Sequence, residues 1–298
     1  MTAPTTVTTA SRRPRKRLIS AELLKIRTTS TWWLFGIGMV LVTLLALGLN
    51  MLVTHFQLDP PLDQIAAEQQ AQVIADSEAA HTTAGLIKIA ANLLTSGQYL
   101  GVLFAMIIGT LVITNEYFHQ TATATFMATP HRTAVVLAKL VAAGVFGGLF
   151  WLISTLINLV GTPLFLAAEG VEIHLTDWEV IQAVLLNLLA FVMWTIFGLG
   201  LGTLIRSQIG AVIIGIVVYL ASDLLLSILV PLIHNWIGQD WVLNLRVLAP
   251  ATASTIMITP GEAFPDAPPQ WSGFVMMIAY VLVLGGLGIL LTRRRDIS

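Results

Sequence analysis

The chain has 298 residues, of which 56% are hydrophobic and only 10% charged, with a mean hydropathy of +0.84. A soluble domain carries about 25% charged residues, so this composition excludes a globular domain on a single anchor and indicates a polytopic membrane protein. There is no cysteine, which excludes disulfides, thiolate catalysis and Cys-based metal sites, and the net charge of −1 says little about partners because the charge is segregated along the chain.

Residues 1–16 are Thr-rich, Pro-containing and basic, and are expected to be disordered. Ser11-Arg12-Arg13 faintly resembles a twin-arginine signal. However, the basic residues continue to Arg27, the following apolar run is too long for a signal peptide, and no A-x-A cleavage site follows it. An uncleaved first span is expected, with the basic cluster as a cytoplasmic anchor for acidic headgroups. In residues 17–30, Ile19, Leu23 and Ile26 recur at i, i+4, i+7 with Leu24 beside them, and Glu22, Lys25 and Arg27 fill the rest of the wheel. That pattern predicts an amphipathic interfacial helix on the inner leaflet.

Six spans are expected, at about 32–54, 94–117, 134–167, 179–204, 209–233 and 273–292, so residues 17–298 form one all-α transmembrane domain. Trp32 and Trp33 open the first span at the interface. Residues 55–93 read as an acidic external loop with a Pro60-Pro61 break and one or two helices. The third span exceeds what a bilayer needs and is expected to tilt, break or protrude, with Gly161 and Pro163 as the break. Arg206-Ser207-Gln208 makes a tight inner turn, and the fifth span is expected to end near Pro231. The apolar run Val242–Ile258 is interrupted by Arg246 and Pro250, which predicts short external re-entrant helices before the last span.

Thirteen of the fifteen Lys and Arg residues fall on one side of this layout, with only Lys88 and Arg246 on the other. The positive-inside rule therefore places both termini in the cytoplasm. Small residues four apart (Gly97/Gly101, Gly144/Gly148, Gly198/Gly202, Ala211/Gly215) let helices approach closely, either within the subunit or across a dimer interface.

Motifs that carry chemistry are few. G-x-x-x-x-G-K-[ST], H-E-x-x-H and G-x-S-x-G do not occur. The six histidines are scattered, and His119 and His131 are a poor metal pair, so neither metal binding nor catalysis is expected. Asp223 is the one acid well inside a span, where a charge costs about 2.5–3.5 kcal/mol on insertion scales. It either lines a cargo or proton path or faces a polar interior beside Ser222 and Ser227. Glu116 and Lys139 flank the inner loop 118–133 and either pair across it or snorkel separately. That loop, with Phe118, Phe126, Met127 and Arg132, is either a docking segment for a soluble partner or a bland polar turn.

The run Gly109-Thr110 … Thr114-Asn115-Glu116-Tyr117-Phe118-His119-Gln120-Thr121 … Phe126-Met127-Ala128-Thr129-Pro130-His131-Arg132 … Val136-Leu137-Ala138-Lys139 resembles the segment between the second and third spans of type-2 ABC exporter permeases. Glu22-Leu23-Leu24-Lys25 … Thr28-Thr29-Ser30-Thr31-Trp32-Trp33 is similar to that family's start, and Phe197-Gly198-Leu199-Gly200 … Arg206-Ser207-Gln208 to its fourth-to-fifth-span turn. The long outer loop 55–93 departs from its compact members. The resemblance implies that residues 17–30 are a gate helix, 118–133 a coupling helix seated on a separate ATPase, and 241–258 external re-entrant helices. It further implies Glu116, His119, Phe126 and Arg132 as coupling contacts. Two permease copies, identical or paralogous, would pair with two ATPases. ATP and magnesium would be bound by those ATPases, with no cofactor in this chain and no nucleic-acid partner. A bacterial inner-membrane exporter is the expected function. An ATP-independent secondary transporter or channel, an assembly factor and a membrane enzyme are the competing readings.

Overall fold

The computed structural model describes residues 14–121, 132–205 and 207–294. Among them there are helices and short connections but no strand. Helix α1 (Pro14–Arg27) leads into α2 (Thr31–Leu58), which stops just before Pro60-Pro61, where the missing N–H groups and the fixed φ end the ladder. A 3-10 turn at Leu62–Gln64 is followed by α3 (Ala67–Ala80) and α4 (Thr83–Leu94). The Thr82 hydroxyl caps α4 by accepting from the Gly85 N–H at 3.1 Å. After a break at residues 95–97 comes α5 (Gln98–Phe118), then α6 (Arg132–Ala168), α7 (Trp178–Leu204) and α8 (Gln208–Ile237). A 3-10 segment, Asp240–Leu248, meets α9 (Pro250–Ile258) at an angle of 101°, and α10 (Gln270–Arg294) closes the chain.

Six helices, with α4 and α5 taken together as one, are long and apolar enough to cross a membrane. The fold is thus an all-α, six-span architecture, as the hydropathy pattern predicts. Two helices outrun the breaks expected of them. Helix α6 is continuous through Gly161 and Pro163, and its 37 residues reach about 55 Å at ~1.5 Å per residue, well beyond a hydrocarbon core of about 30 Å. Pro163 falls within the last two turns, so the helix forgoes one hydrogen bond near an end where several carbonyls lack intrahelical partners anyway. Helix α8 likewise runs past Pro231 to Ile237 and stops at Gly238, whose φ of +70° suits a left-handed cap.

The bundle is centred on α5 and α7. The most apolar window of the α4–α5 span is 72% buried, against 17% for α2 and 11% for α8, so the latter two are peripheral. Glycine explains how close the central pair comes. A Cβ on Gly198 would lie 1.9 Å from the Met106 carbonyl oxygen, and one on Gly109 would lie 2.0 Å from that of Thr195. The Thr110 hydroxyl donates across this seam to the Gly198 carbonyl at 3.0 Å. Trp194, Phe191 and Met106, none of them exposed, fill the core around it. The Gly198/Gly202 pair is therefore intramolecular packing, whereas Cβ atoms on Gly144 and Gly148 would meet only ordinary contacts at 3.6 and 3.8 Å.

Candidate functional site

The candidate site lies at the α1 end of the bundle and begins with a buried lysine. Lys139 stands two turns into α6, with a side chain only 1% exposed. A buried ammonium is costly unless paired and hydrogen-bonded. Two carboxylates meet it: Glu22 of α1 and Glu116 of α5, each at 2.7 Å. Lys25, one turn after Glu22, reaches the same two acids at 2.9 and 2.7 Å. The four side chains form a closed ring in which the charges alternate, and it sums to zero. Each acid is bridged by both lysines, so three helices distant in sequence share one ionic knot.

The knot explains why α1 packs where it does. Leu23 and Ile26 rest on the core, while Leu24 is 60% exposed. Glu22 is buried on the inward side, although the wheel groups it with Lys25 and Arg27, off the apolar stripe. For Lys25, burial acts to lower the pKa. Hydrogen bonds to Glu116 and Glu22, with the charges of both acids, outweigh that and hold it above the usual 10.5. Helix α5 ends two residues beyond Glu116, and the Thr121 N–H returns to the Glu116 carbonyl at 2.9 Å. Since α6 begins at Arg132, the ring sits at the root of the segment joining α5 to α6.

A cavity of about 270 Å³ opens beside the ring between α1 and α5. Lys25, Thr28, Asn115 and His119 give it a polar mouth, and Ile108 and Val112 an apolar floor. His119 caps α5, is exposed, and packs edge-on against Phe118 with ring centroids 5.0 Å apart. Phe118 is itself 67% exposed. Of the four residues expected at a coupling surface, Glu116 is thus buried within the ring and His119 stands at the surface. Arg132 is the first residue of α6, and Phe126 lies outside the described residues. Glu116 and Lys139 pair directly. Glu22 was missed.

Asp223 is remote from this site, in the middle of α8. Its carboxylate accepts from the Tyr99 hydroxyl of α5 at 3.2 Å and from the Thr252 hydroxyl of α9 at 2.5 Å. It is half-buried and ties three helices together. Among the described residues no cluster of His, Cys, Asp or Glu could hold a metal ion.

Six helices long and apolar enough to cross a membrane, packed as one bundle, define a multi-pass membrane protein. The sequence profile of the ABC-2 family transporter proteins matches residues 17–297, and the chain belongs to that family. It is therefore a membrane permease of an ABC transporter, and its family implies association with an ABC ATPase. A search of curated proteins gave no match.

Proposed function

We propose that the chain is the membrane subunit of an exporter driven by a separate ATPase, with no ATPase site of its own. The observation that carries this reading is the ring of Glu22, Lys25, Glu116 and Lys139 at the root of the 119–131 segment. A partner that moves that segment also moves the end of α5 and the start of α6. The ring then pulls α1 with them, because separating any one helix strands a buried charge. Glu116 and Lys139 act in this scheme as positioning residues, and the exposed Phe118 and His119 with Phe126 and Arg132 form the contact surface.

The segregation of thirteen of fifteen basic residues supports cytoplasmic termini and an ATPase on the α1 side, and the basic, Thr-rich tail and cysteine-free chain suit a bacterial inner membrane as the setting. The 101° bend before α9 supports a pair of re-entrant helices at the opposite face. ATP and magnesium would belong to the ATPase, and a second permease copy, identical or paralogous, would complete the transporter.

The test is ATP hydrolysis by the purified permease–ATPase complex in bilayers. Arg132→Ala and Lys139→Met should each lose the permease-dependent stimulation of hydrolysis while the complex stays assembled. Stimulation at the wild-type level in both variants would refute the coupling role of this end of the bundle.

A further inference from the structure

At the other end of the bundle, α4 and α5 part at Thr95-Ser96-Gly97, where Gly97 takes φ +82° against Thr43 of α2. Breaking a helix here frees carbonyls that need partners. Helix α6 supplies them. The Asn158 amide donates to the Leu94 and Ser96 carbonyls at 3.0 and 2.9 Å, and the Ser154 hydroxyl donates to Ser96 at 3.1 Å. The back of the break is thus fastened, and its front opens into a cavity of about 430 Å³ between α2, α5 and α9. That volume lies in the range of about 300–1,000 Å³ typical of small-molecule sites.

The lining holds no carboxylate, ammonium, guanidinium or imidazole. Its hydroxyl protons are already spent. Thr95 donates to the Ala91 carbonyl, Ser96 to Asn92, Thr255 to Ala251 and Thr259 to Thr255. Gln98 donates to Ser254, and Asn50 to the Ser96 hydroxyl. The donors left are the neutral amide N–H groups of Asn50, Asn92 and Gln98, and the acceptor lone pairs of the hydroxyls and amide oxygens outnumber them. The carboxylate behind the lining Tyr99, that of Asp223, already accepts from the Tyr99 and Thr252 hydroxyls. A phosphate or carboxylate brings only acceptors and an uncompensated charge, and an ammonium brings a charge the wall cannot neutralise. A group rich in hydroxyl donors and without charge matches it.

Position identifies how such a group arrives. Asn50 lies about 29 Å along α2 from Thr31, near the far limit of a hydrocarbon core of about 30 Å. The exposed apolar side chains of Leu49 and Leu100 border the opening. We propose that this cavity binds the uncharged, hydroxyl-rich headgroup of a lipid, such as a glycosyl diacylglycerol, in the leaflet opposite α1, with its acyl chains running beside Leu49 and Leu100. Binding here is read without transport or ATP hydrolysis, so the site stands or falls independently of the coupling scheme.

The full chain, reconstituted in phosphatidylcholine bilayers, would be irradiated with a glucosyl diacylglycerol carrying a diazirine on its sugar. Crosslinks should map to residues 46–50, 92–100 and 255–259. An excess of unlabelled glucosyl lipid should suppress them, and phosphatidic acid or an amine-headed lipid should not. Suppression by free glucose alone would support the same hydroxyl chemistry with a soluble source. Thr255→Val with Thr259→Val, which keeps shape and removes two acceptors, should cut crosslinking about fivefold or more. Crosslinks spread evenly over the lipid-facing sides of α2 and α8, or equal competition by the charged lipids, would overturn the proposal.

Discussion

Lys139 concentrates the energetics of the α1 end in one side chain. Its ammonium is the sole cation of the ring that is buried, since the Lys25 side chain is 46% exposed. Replacing it with Met would leave Glu22 and Glu116 facing each other with one half-exposed partner. Breaking a buried pair in this way costs about 3–5 kcal/mol. The expected outcome is a clear fall in thermal unfolding temperature for Lys139→Met in bilayers. Lys139→Met combined with Glu116→Gln should recover part of it, because the repulsion is relieved. An unchanged unfolding temperature in the single variant would mean the ring is not held as described. The Lys25 contribution has the opposite exposure and a simple pH sign. With its pKa raised in the folded state, the stabilisation is complete below 10.5 and is lost only as pH rises through the higher folded value. The Glu116–Lys139 pair was readable as one of two options from two charges placed at the edges of adjacent spans. The position of Glu22 was readable too, although it was assigned to the polar face. It lies three residues after Ile19 and four before Ile26, which puts it on the same helical stripe as both. Residue type outweighed spacing in that assignment, and its buried partner on α6 is invisible from a helical wheel.

At the scale of elements, close approach is decided by which glycines face backbone. Gly198 on α7 and Gly109 on α5 meet carbonyl oxygens that cannot move without the helix, whereas Gly144 on α6 faces the Val192 side chain at 3.6 Å. Gly198→Ala should therefore force α5 and α7 apart and destabilise by about 1–3 kcal/mol or more. Gly144→Ala should be neutral or stabilising by about 0.5–1 kcal/mol, since alanine is the better helix former. Thermal unfolding of the two variants side by side checks this, and equal effects would contradict the packing. Four-residue spacing marks both sites alike in the sequence, because it reports that small residues share a stripe without reporting what that stripe touches. Gly109, whose Cβ would come as close as 2.0 Å, follows Gly101 and Ala105 at the same four-residue spacing, a continuation of the Gly97/Gly101 stripe that the sequence reading did not carry that far. The proline breaks were legible only in part. Pro60-Pro61 ends α2, while Pro163 and Pro231 are carried inside α6 and α8, where the helices continue into their last turns. The 3-10 segment and α9 were anticipated as short interrupted helices because Arg246 and Pro250 punctuate an apolar run. Their 101° bend was not legible from sequence.

For the whole molecule, span number and helical class followed from hydropathy, since long apolar runs between polar connections admit few other folds in a bilayer. What hydropathy does not contain is the division of labour among the spans. Helix α5 is central and threaded with glycine, whereas α2 and α8 present most of their length outward, to lipid or to a partner subunit. The same arrangement separates two polar sites along α5. The ionic ring lies at Glu116, and the cavity begins near Gln98, about 27 Å away at ~1.5 Å per residue. The central helix pair thus joins the end that carries the ionic ring to the end that carries the cavity. The most direct measurement of this account is purification of the tagged permease in mild detergent from its native host, with mass spectrometry of the proteins that accompany it. The account predicts a stoichiometric P-loop ATPase that is lost when residues 119–131 are scrambled and retained when the outer segment 62–80 is scrambled instead. A folded permease with no ATPase, or one whose ATPase survives scrambling of 119–131, would contradict it.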